Sequence, residues 1–144
     1  MAKDFFNTQE LAEIKQAIAE AENQSSGEIR LHLENHCKEE VLDRAAYLFE
    51  QLEMHQTKLR NGVLFYLAIN DHKFAILGDA GINQKVPEGF WDEIKDRMQA
   101  KFKSGNYKEA LMEGIEQSGI KLKKFFPLAK DDQNELSDEI SFGK

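Results

Sequence analysis

Residues 60–81, RNGVLFYLAINDHKFAILGDAG, decide the fold of this chain. The stretch contains two apolar runs, residues 63–69 and 74–77, which are joined by Asn70-Asp71-His72. Short runs rich in Val, Ile, Phe and Tyr on either side of an Asn-Asp turn predict a β-hairpin. The first run does not alternate with polar residues, so we expect its strand to be covered on both faces.

A strand and a helix are predicted before the hairpin. Apolar and polar side chains alternate in residues 28–36, which predicts a strand with one buried face or an edge strand. Residues 41–54 carry apolar side chains at helical spacing. A strand, a helix and a further strand in succession predict a parallel pair, because the helix returns the chain to the end where the first strand began.

Further helices are predicted on both sides of this unit. Asn7 and Asn106 each stand three residues before a glutamate, which is typical of helix N-caps, and apolar stripes follow both. After the hairpin, residues 82–86 are predicted to be irregular or a short strand. Pro87 is then expected to open the next helix, since proline is favoured at the first helical position.

These elements predict an α/β protein with a three-layer α/β/α sandwich. Its small mixed sheet, a parallel crossover plus a β-hairpin, is flanked by about four helices. A length of 144 residues is typical of one domain. We place this domain at residues 1–128 and interpret residues 129–144 as an acidic C-terminal tail, because the segment from Asp131 onward lacks helical periodicity.

The composition argues against several classes of function. The net charge is −7 and no clustered Lys/Arg surface is visible, so nucleic acid is not an expected partner. No apolar run approaches the length of a membrane span, no secretory leader is recognisable, and the single Cys37 is typical of a reducing compartment. We therefore predict a cytoplasmic protein without a transmembrane segment, and we favour a monomer.

Three polar segments are predicted to meet at one edge of the sheet. Glu28 begins the first strand, Asn61 precedes the second, and Asp79 follows the third, with Ser26 and Arg60 close by in sequence. Carboxylate and amide oxygens brought together by loops are the ligands that calcium or magnesium requires. The other interpretation is ordinary turn chemistry with an ion pair between Glu28 and Arg60.

Glycines flank these polar segments and add to the prediction of a binding site. Gly62, Gly78 and Gly81 would let the backbone approach a ligand closely and offer carbonyl oxygens as further donors. The residues thus leave two interpretations open at this junction: a divalent-cation site formed by Ser26, Glu28, Arg60, Asn61 and Asp79, or turn residues without a ligand.

Two weaker metal-binding patterns are present. His32, Glu34 and His36 share one face of the first predicted strand and Cys37 follows, as a zinc site would require, but no further ligands are identifiable. The tail lacks the central glycine and the terminal glutamate spacing of a calcium loop, so a solvated segment is the simpler interpretation. The polar residues of the tail are Asp131, Asp132, Asn134, Glu135, Asp138 and Glu139.

No established catalytic motif is present. The sequence has no GxSxG elbow, no CxxxxxR phosphate loop, no P-loop lysine and no HExxH. Any hydrolysis would have to use a metal-bound water at the predicted cation site. Asp79 would then act as ligand or nucleophile and Arg60 would stabilise an anionic oxygen, which makes these two residues the catalytic candidates.

Four motifs of this chain resemble the TPM domain family, which is named for a thylakoid-lumen acid-phosphatase-like protein and its relatives. They occur in the family's order and spacing across most of the chain, from about residue 8 to residue 126. The motifs are SGEIR at 26–30, RNGVLFYL at 60–67 with Thr57 ahead of it, KFAILGDAGI at 73–82, and PEGFW at 87–91.

The resemblance implies an α/β/α sandwich and carries a metal-binding role onto Glu28, Asn61 and Asp79. Relatives are assigned acid phosphatase activity, calcium binding, photosystem repair and modulation of a membrane receptor. We therefore expect a calcium-binding or magnesium-binding TPM-type domain that acts as an interaction or regulatory module with a protein partner. The alternative is a metal-dependent acid phosphatase. We expect a cytoplasmic, bacterial-type member, because the sequence shows neither the signal peptide nor the membrane anchor that many relatives carry.

Overall fold

The protein is described from a computed structural model that covers residues 2–128 and 139–143. Helices and strands alternate in the first half, and helices dominate the second. The elements are α1 Ala2–Phe5, α2 Thr8–Glu22, β1 Glu28–Glu34, α3 Val41–Gln51, β2 Gly62–Ala68, β3 Lys73–Gly78, α4 Ala80–Lys85, α5 Asp92–Lys103, α6 Tyr107–Leu122 and β4 Ser141–Phe142.

The described strands form one mixed sheet in the order β3-β2-β1-β4. β1 pairs with β2 in parallel, and β2 pairs with β3 as an antiparallel hairpin that begins with Ala68 opposite Lys73. The predicted crossover and hairpin are therefore confirmed. β4 runs parallel to β1 on its other side, so β1 is an interior strand rather than an edge strand.

Helices cover both faces of the sheet, which confirms the predicted α/β sandwich. One face packs against α2, α5 and α6 through a core that includes Ile29, Phe65 and Ile115. The opposite face packs against α3 through a smaller core that includes Leu64 and Leu48. All of β2 is buried, as expected for an apolar run between two layers.

The helix predicted from Asn7 forms as expected. The Asn7 side chain accepts a hydrogen bond from the Glu10 backbone N–H at 2.7 Å, and Glu10 Oε1 accepts one from the Asn7 N–H at 3.0 Å. This capping box satisfies two backbone donors that would otherwise lack partners at the helix start. At Asn106, by contrast, α6 begins without a side-chain cap hydrogen bond, so the capping box predicted there is wrong.

Two local predictions after the hairpin are also wrong. Residues 82–85 are helical, because the helix α4 starts directly after Asp79, which caps it, and buries Ile82; only Val86, which follows the helix, is extended. Pro87 does not open a helix; α5 begins at Asp92 after a stretch of turns. A helix of six residues is too short to produce a clear periodic pattern, which is why it escaped the sequence analysis.

The end of the chain differs from the tail predicted for it. Ile140 is buried, Ser141–Phe142 form β4, and the Gly143 N–H donates to the Leu33 carbonyl at 2.8 Å. Lys15 pairs with Glu139 at 2.8 Å. Residues 139–143 therefore belong to the sandwich, whereas the predicted tail residues Asp131, Asp132, Asn134, Glu135 and Asp138 lie outside the described residues.

Candidate functional site

The three polar segments meet at one edge of the sheet, as the topology predicts. Glu28 lies opposite Gly62 in the parallel register, and its N–H donates to the Asn61 carbonyl at 3.0 Å. On the other side of β2, the Asp79 N–H donates to the Gly62 carbonyl at 2.9 Å. Glu28, Asn61 and Asp79 thus sit on three adjacent strand ends, and all three are buried. We call this group the edge site.

Asn61 is the most buried member of the edge site, with 1% of its surface exposed. Its Nδ2 donates to the Ser26 carbonyl at 2.6 Å, and its backbone N–H donates to Thr57 Oγ1 at 3.1 Å. Its Oδ1 is buried and has no hydrogen-bond partner among residues 2–128 and 139–143. Buried polar atoms in native proteins are nearly always paired, so this oxygen is the most unusual feature of the edge site.

Asp79 and Arg60 form a bidentate ion pair. Arg60 Nε donates to Asp79 Oδ2 at 2.7 Å and Nη2 donates to Oδ1 at 2.8 Å, and Oδ1 also accepts the Ala80 N–H at 2.7 Å. The hydrogen bonds to Asp79 raise the pKa of Arg60, so the guanidinium is the charged partner. Arg60 therefore pairs with Asp79, whereas the turn-chemistry interpretation supposed a pair with Glu28.

The flanking glycines serve close internal packing. A Cβ on Gly81 would lie 2.1 Å from the Leu59 carbonyl oxygen and 2.5 Å from that of Arg60. A Cβ on Gly78 would lie 2.9 Å from the Ile82 side chain. The space that a side chain would take at these two glycines is thus filled by the protein itself.

The donor set of the edge site fits a hard cation in type. Glu28 and Asp79 supply carboxylates and Asn61 supplies an unpaired amide oxygen, which are the oxygens that calcium and magnesium prefer. Across residues 2–128 and 139–143, no group of three or more His, Cys, Asp or Glu side chains could hold a metal ion. A cation here would depend on the amide and on backbone carbonyls in addition to the two carboxylates.

The zinc pattern predicted on β1 does not assemble. His36 turns to Asp71, with Nδ1 3.0 Å from Oδ1, and lies apart from His32 and Glu34. Glu34 is fully engaged by Arg44, whose Nε and Nη2 donate at 3.0 and 2.6 Å. Arg44 of α3 and Ser141 of β4 reach the face that was expected to be exposed, and Glu34 and His32 pair with them.

These polar residues form a buried network that the sequence analysis missed. Tyr66 OH donates to Glu34 Oε1 at 2.6 Å, and His32 Nδ1 lies 2.7 Å from Ser141 Oγ. Burial tends to raise the pKa of Glu34, but the hydrogen bonds from Arg44 and Tyr66 outweigh it and hold the pKa below its usual value. Burial lowers the pKa of His32 and favours the neutral ring. The network joins β1, β2, α3 and β4.

A family model described as the TPM domain matches residues 2–119 of the chain. The chain belongs to the TPM domain family. No curated protein matches this TPM domain. The edge site and the four motifs that carry the resemblance lie within the matched span.

Solved structures support the same fold. This TPM domain is 47% identical to the BA42 protein from the psychrophilic bacterium Bizionia argentinensis, with a TM-score of 0.93, and the match covers 98% of this chain and 97% of that one. The N-terminal domain of a P. gingivalis protein has 23% identity, a TM-score of 0.69 and coverage of 85% and 80%. The N-terminal domain of the Corynebacterium glutamicum cg2496 protein has 8% identity, a TM-score of 0.64 and coverage of 97% and 81%. The last two show the fold alone.

Groups from elsewhere in the chain also support the edge site. The Ser26 N–H donates to the Phe126 carbonyl at 2.8 Å. This hydrogen bond joins the entry of β1 to the turn that follows α6. The Gly27 N–H donates to Ser25 Oγ at 3.1 Å. The hydroxyls of Ser25 and Thr57 are local and could be anticipated as turn residues, whereas the Phe126 carbonyl comes from a hundred residues away and has no sequence signal. No helix in the described ranges is long and apolar enough to cross a membrane.

Proposed function

We propose that this TPM domain binds a divalent cation, calcium first and magnesium second, through Glu28, Asn61 and Asp79. The observation that carries the proposal is the buried Asn61 Oδ1, which accepts no hydrogen bond from the part of the chain that the structure describes. Leaving such an oxygen unpaired in the folded protein costs about 1–3 kcal/mol of stability. A ligand that binds the oxygen would offset this cost. Backbone hydrogen bonds place Glu28 and Asp79, both buried, on either side of the entry of β2, next to Asn61 in the sheet.

The role that follows is an interaction or regulatory module. The side chains at the edge site are suited to binding and positioning a cation, and the sequence has no established catalytic motif beside them. A cation held by loops at three strand ends would make those loops more rigid. A protein partner that binds these loops would then distinguish the loaded domain from the empty one. The protein partner and the cytoplasmic location remain predictions of the sequence.

The test is a calcium titration of metal-stripped protein, followed by amide NMR shifts. We expect saturable shifts in residues 26–28, 57–62 and 78–81. Asp79→Asn and Glu28→Gln keep the shape of each side chain and remove its charge, so each should weaken binding about tenfold or more. Asp71→Asn is the matched control, because this carboxylate lies at the opposite end of the same hairpin and pairs with His36. Binding that is equal in wild type and Asp79→Asn would contradict the proposal.

The alternative function is metal-dependent hydrolysis of phosphomonoesters, with Asp79 and Arg60 as catalytic candidates. It is favoured by the half-exposed Arg60 guanidinium beside a carboxylate, where a phosphate oxygen would find a cationic partner. It requires turnover of p-nitrophenyl phosphate that depends on the added cation and falls in Asp79→Asn and Glu28→Gln. Turnover that is unchanged in these variants would point to a contaminating enzyme.

A further inference from the structure

The ion pair at the edge site joins a buried partner and an exposed one. The Asp79 carboxylate is 6% exposed, whereas the Arg60 side chain is 50% exposed. The guanidinium holds both carboxylate oxygens in a two-point fork, at 2.7 and 2.8 Å. The carboxylate proposed as a cation ligand is therefore already neutralised by a cation that belongs to the chain.

A divalent cation and the Arg60 guanidinium would compete for the same oxygens. A bidentate guanidinium uses the lone pairs on the open side of a carboxylate, which are the ones a metal ion also uses. Asp79 Oδ1 additionally accepts the Ala80 N–H, which leaves this carboxylate little capacity to serve both cations. Repulsion between two positive charges a few ångströms apart acts in the same direction.

The Arg60 side chain can move away from Asp79 without movement of the Arg60 backbone. Its backbone adopts φ 51°, in the left-handed region, and its carbonyl is pressed against Gly81. The side chain, by contrast, is half exposed, and ion pairs with an exposed partner are easily given up because water solvates the released charge. Release of the guanidinium thus requires only side-chain rotation.

We infer that Arg60 is an internal competitor that occupies the Asp79 side of the cation site and is displaced when the cation binds. The inference rests on the proposed function and adds its regulation, because Arg60 then sets the affinity of the site. It also makes the loaded state present a free guanidinium at the edge of the sheet. By linkage, anything that pairs with this guanidinium favours cation binding, and anything that strengthens its pair with Asp79 opposes it.

The experiment compares calcium titrations of four metal-stripped proteins: wild type, Arg60→Gln, Arg60→Lys and Arg97→Gln. Arg60→Gln removes the competitor, so its Kd for calcium should fall about tenfold. Arg60→Lys keeps the charge but loses the two-point fork, and its affinity should lie between those of wild type and Arg60→Gln. Arg97→Gln removes the same charge from a side chain that is 53% exposed and pairs with Glu93 and Glu113, so its Kd should stay near that of wild type.

A second readout follows the Arg60 Nε–H signal directly. In wild type this signal should shift with the same midpoint as the amides of residues 26–28, while the Arg97 signal should not move. If wild type binds calcium but Arg60→Gln has the same Kd and the Arg60 Nε–H signal stays in place, the competitor role is wrong and the cation site stands. If neither wild type nor Arg60→Gln shows saturable shifts, the proposed function fails and the inference fails with it.

Discussion

Tyr66 places a hydroxyl group in the apolar layer between the sheet and α3. Its ring is buried in the smaller core, and its OH donates to Glu34 Oε1 at 2.6 Å. Burial raises the pKa of Tyr66, and the adjacent Glu34 raises it further, so the hydroxyl remains a neutral donor. The same carboxylate accepts two bonds from Arg44. Glu34 is therefore stable as a buried anion only while both partners are in place.

Tyr66→Phe removes one of these partners without changing the shape of the core. We expect the variant to lose about 1–3 kcal/mol of stability, because Glu34 would keep its burial and lose a short hydrogen bond. Urea unfolding followed by circular dichroism measures this loss. Tyr47→Phe is the control, since Tyr47 is 54% exposed. This variant should unfold at the same urea concentration as wild type. Equal unfolding midpoints for the two variants would refute the stabilising role of the Tyr66 hydroxyl.

At the scale of the elements, α6 packs closely against α2 through a glycine. A Cβ on Gly119 would lie 2.9 Å from the Cα, Cβ and carbonyl oxygen of Ala21, so the two helix backbones meet at this point. Gly114, on the same helix, would place its Cβ against the Met98 side chain alone. Backbone cannot move aside without separating the helices, whereas a methionine side chain can change rotamer.

The two glycines therefore make a matched pair of substitutions. Alanine gains about 1 kcal/mol of helix propensity over glycine at either position. We expect Gly119→Ala to be destabilised by about 1–3 kcal/mol in spite of this gain, because the added methyl group forces α2 and α6 apart. Gly114→Ala should lose clearly less stability than Gly119→Ala. Thermal unfolding of both variants measures the difference in stability. Equal stability of the two variants would show that α2 and α6 accommodate the added methyl group at Gly119 without loss, which contradicts the prediction.

For the whole molecule, the buried network makes stability depend on pH. Burial holds the pKa of His32 below its ordinary 6.5, so the unfolded chain takes up a proton there before the folded protein does. The stability contributed by neutral His32 is complete above pH 6.5 and is lost as the pH falls below it. The pKa of Glu34 is lowered from 4.5, so its contribution is lost only at still lower pH.

We therefore expect the free energy of unfolding to decrease as the pH falls below about 6.5, by at most about 1.4 kcal/mol per pH unit from His32. Urea unfolding at a series of pH values measures the slope. The slope should be smaller in His32→Asn, which cannot take up the proton. His55→Asn, in the turn after α3, should keep the wild-type slope. A slope in His32→Asn equal to that of wild type would assign the effect to other groups.

The parts of the fold that the sequence predicts are those encoded by neighbouring residues. The hairpin of residues 60–81 has two apolar runs and a turn, so its pairing is encoded within one continuous stretch of sequence. The parallel pairing of β1 with β2 follows from chain direction once one helix is placed between them. These two facts bring Glu28, Asn61 and Asp79 to one sheet edge, so their convergence was predictable.

Only the tertiary structure decided which partners those residues take. Arg60 pairs with Asp79, because the exit of β3 lies beside the entry of β2. β4 is two residues long, too short to carry a pattern, and it forms because β1 offers an open edge to Ser141 and Phe142. Ser141 of that strand and Arg44 of α3 pair with His32 and Glu34, so two of the predicted zinc ligands belong to a structural network. Local periodicity therefore determined the elements and their order, whereas burial and pairing of charged groups depended on contacts between segments far apart in the chain.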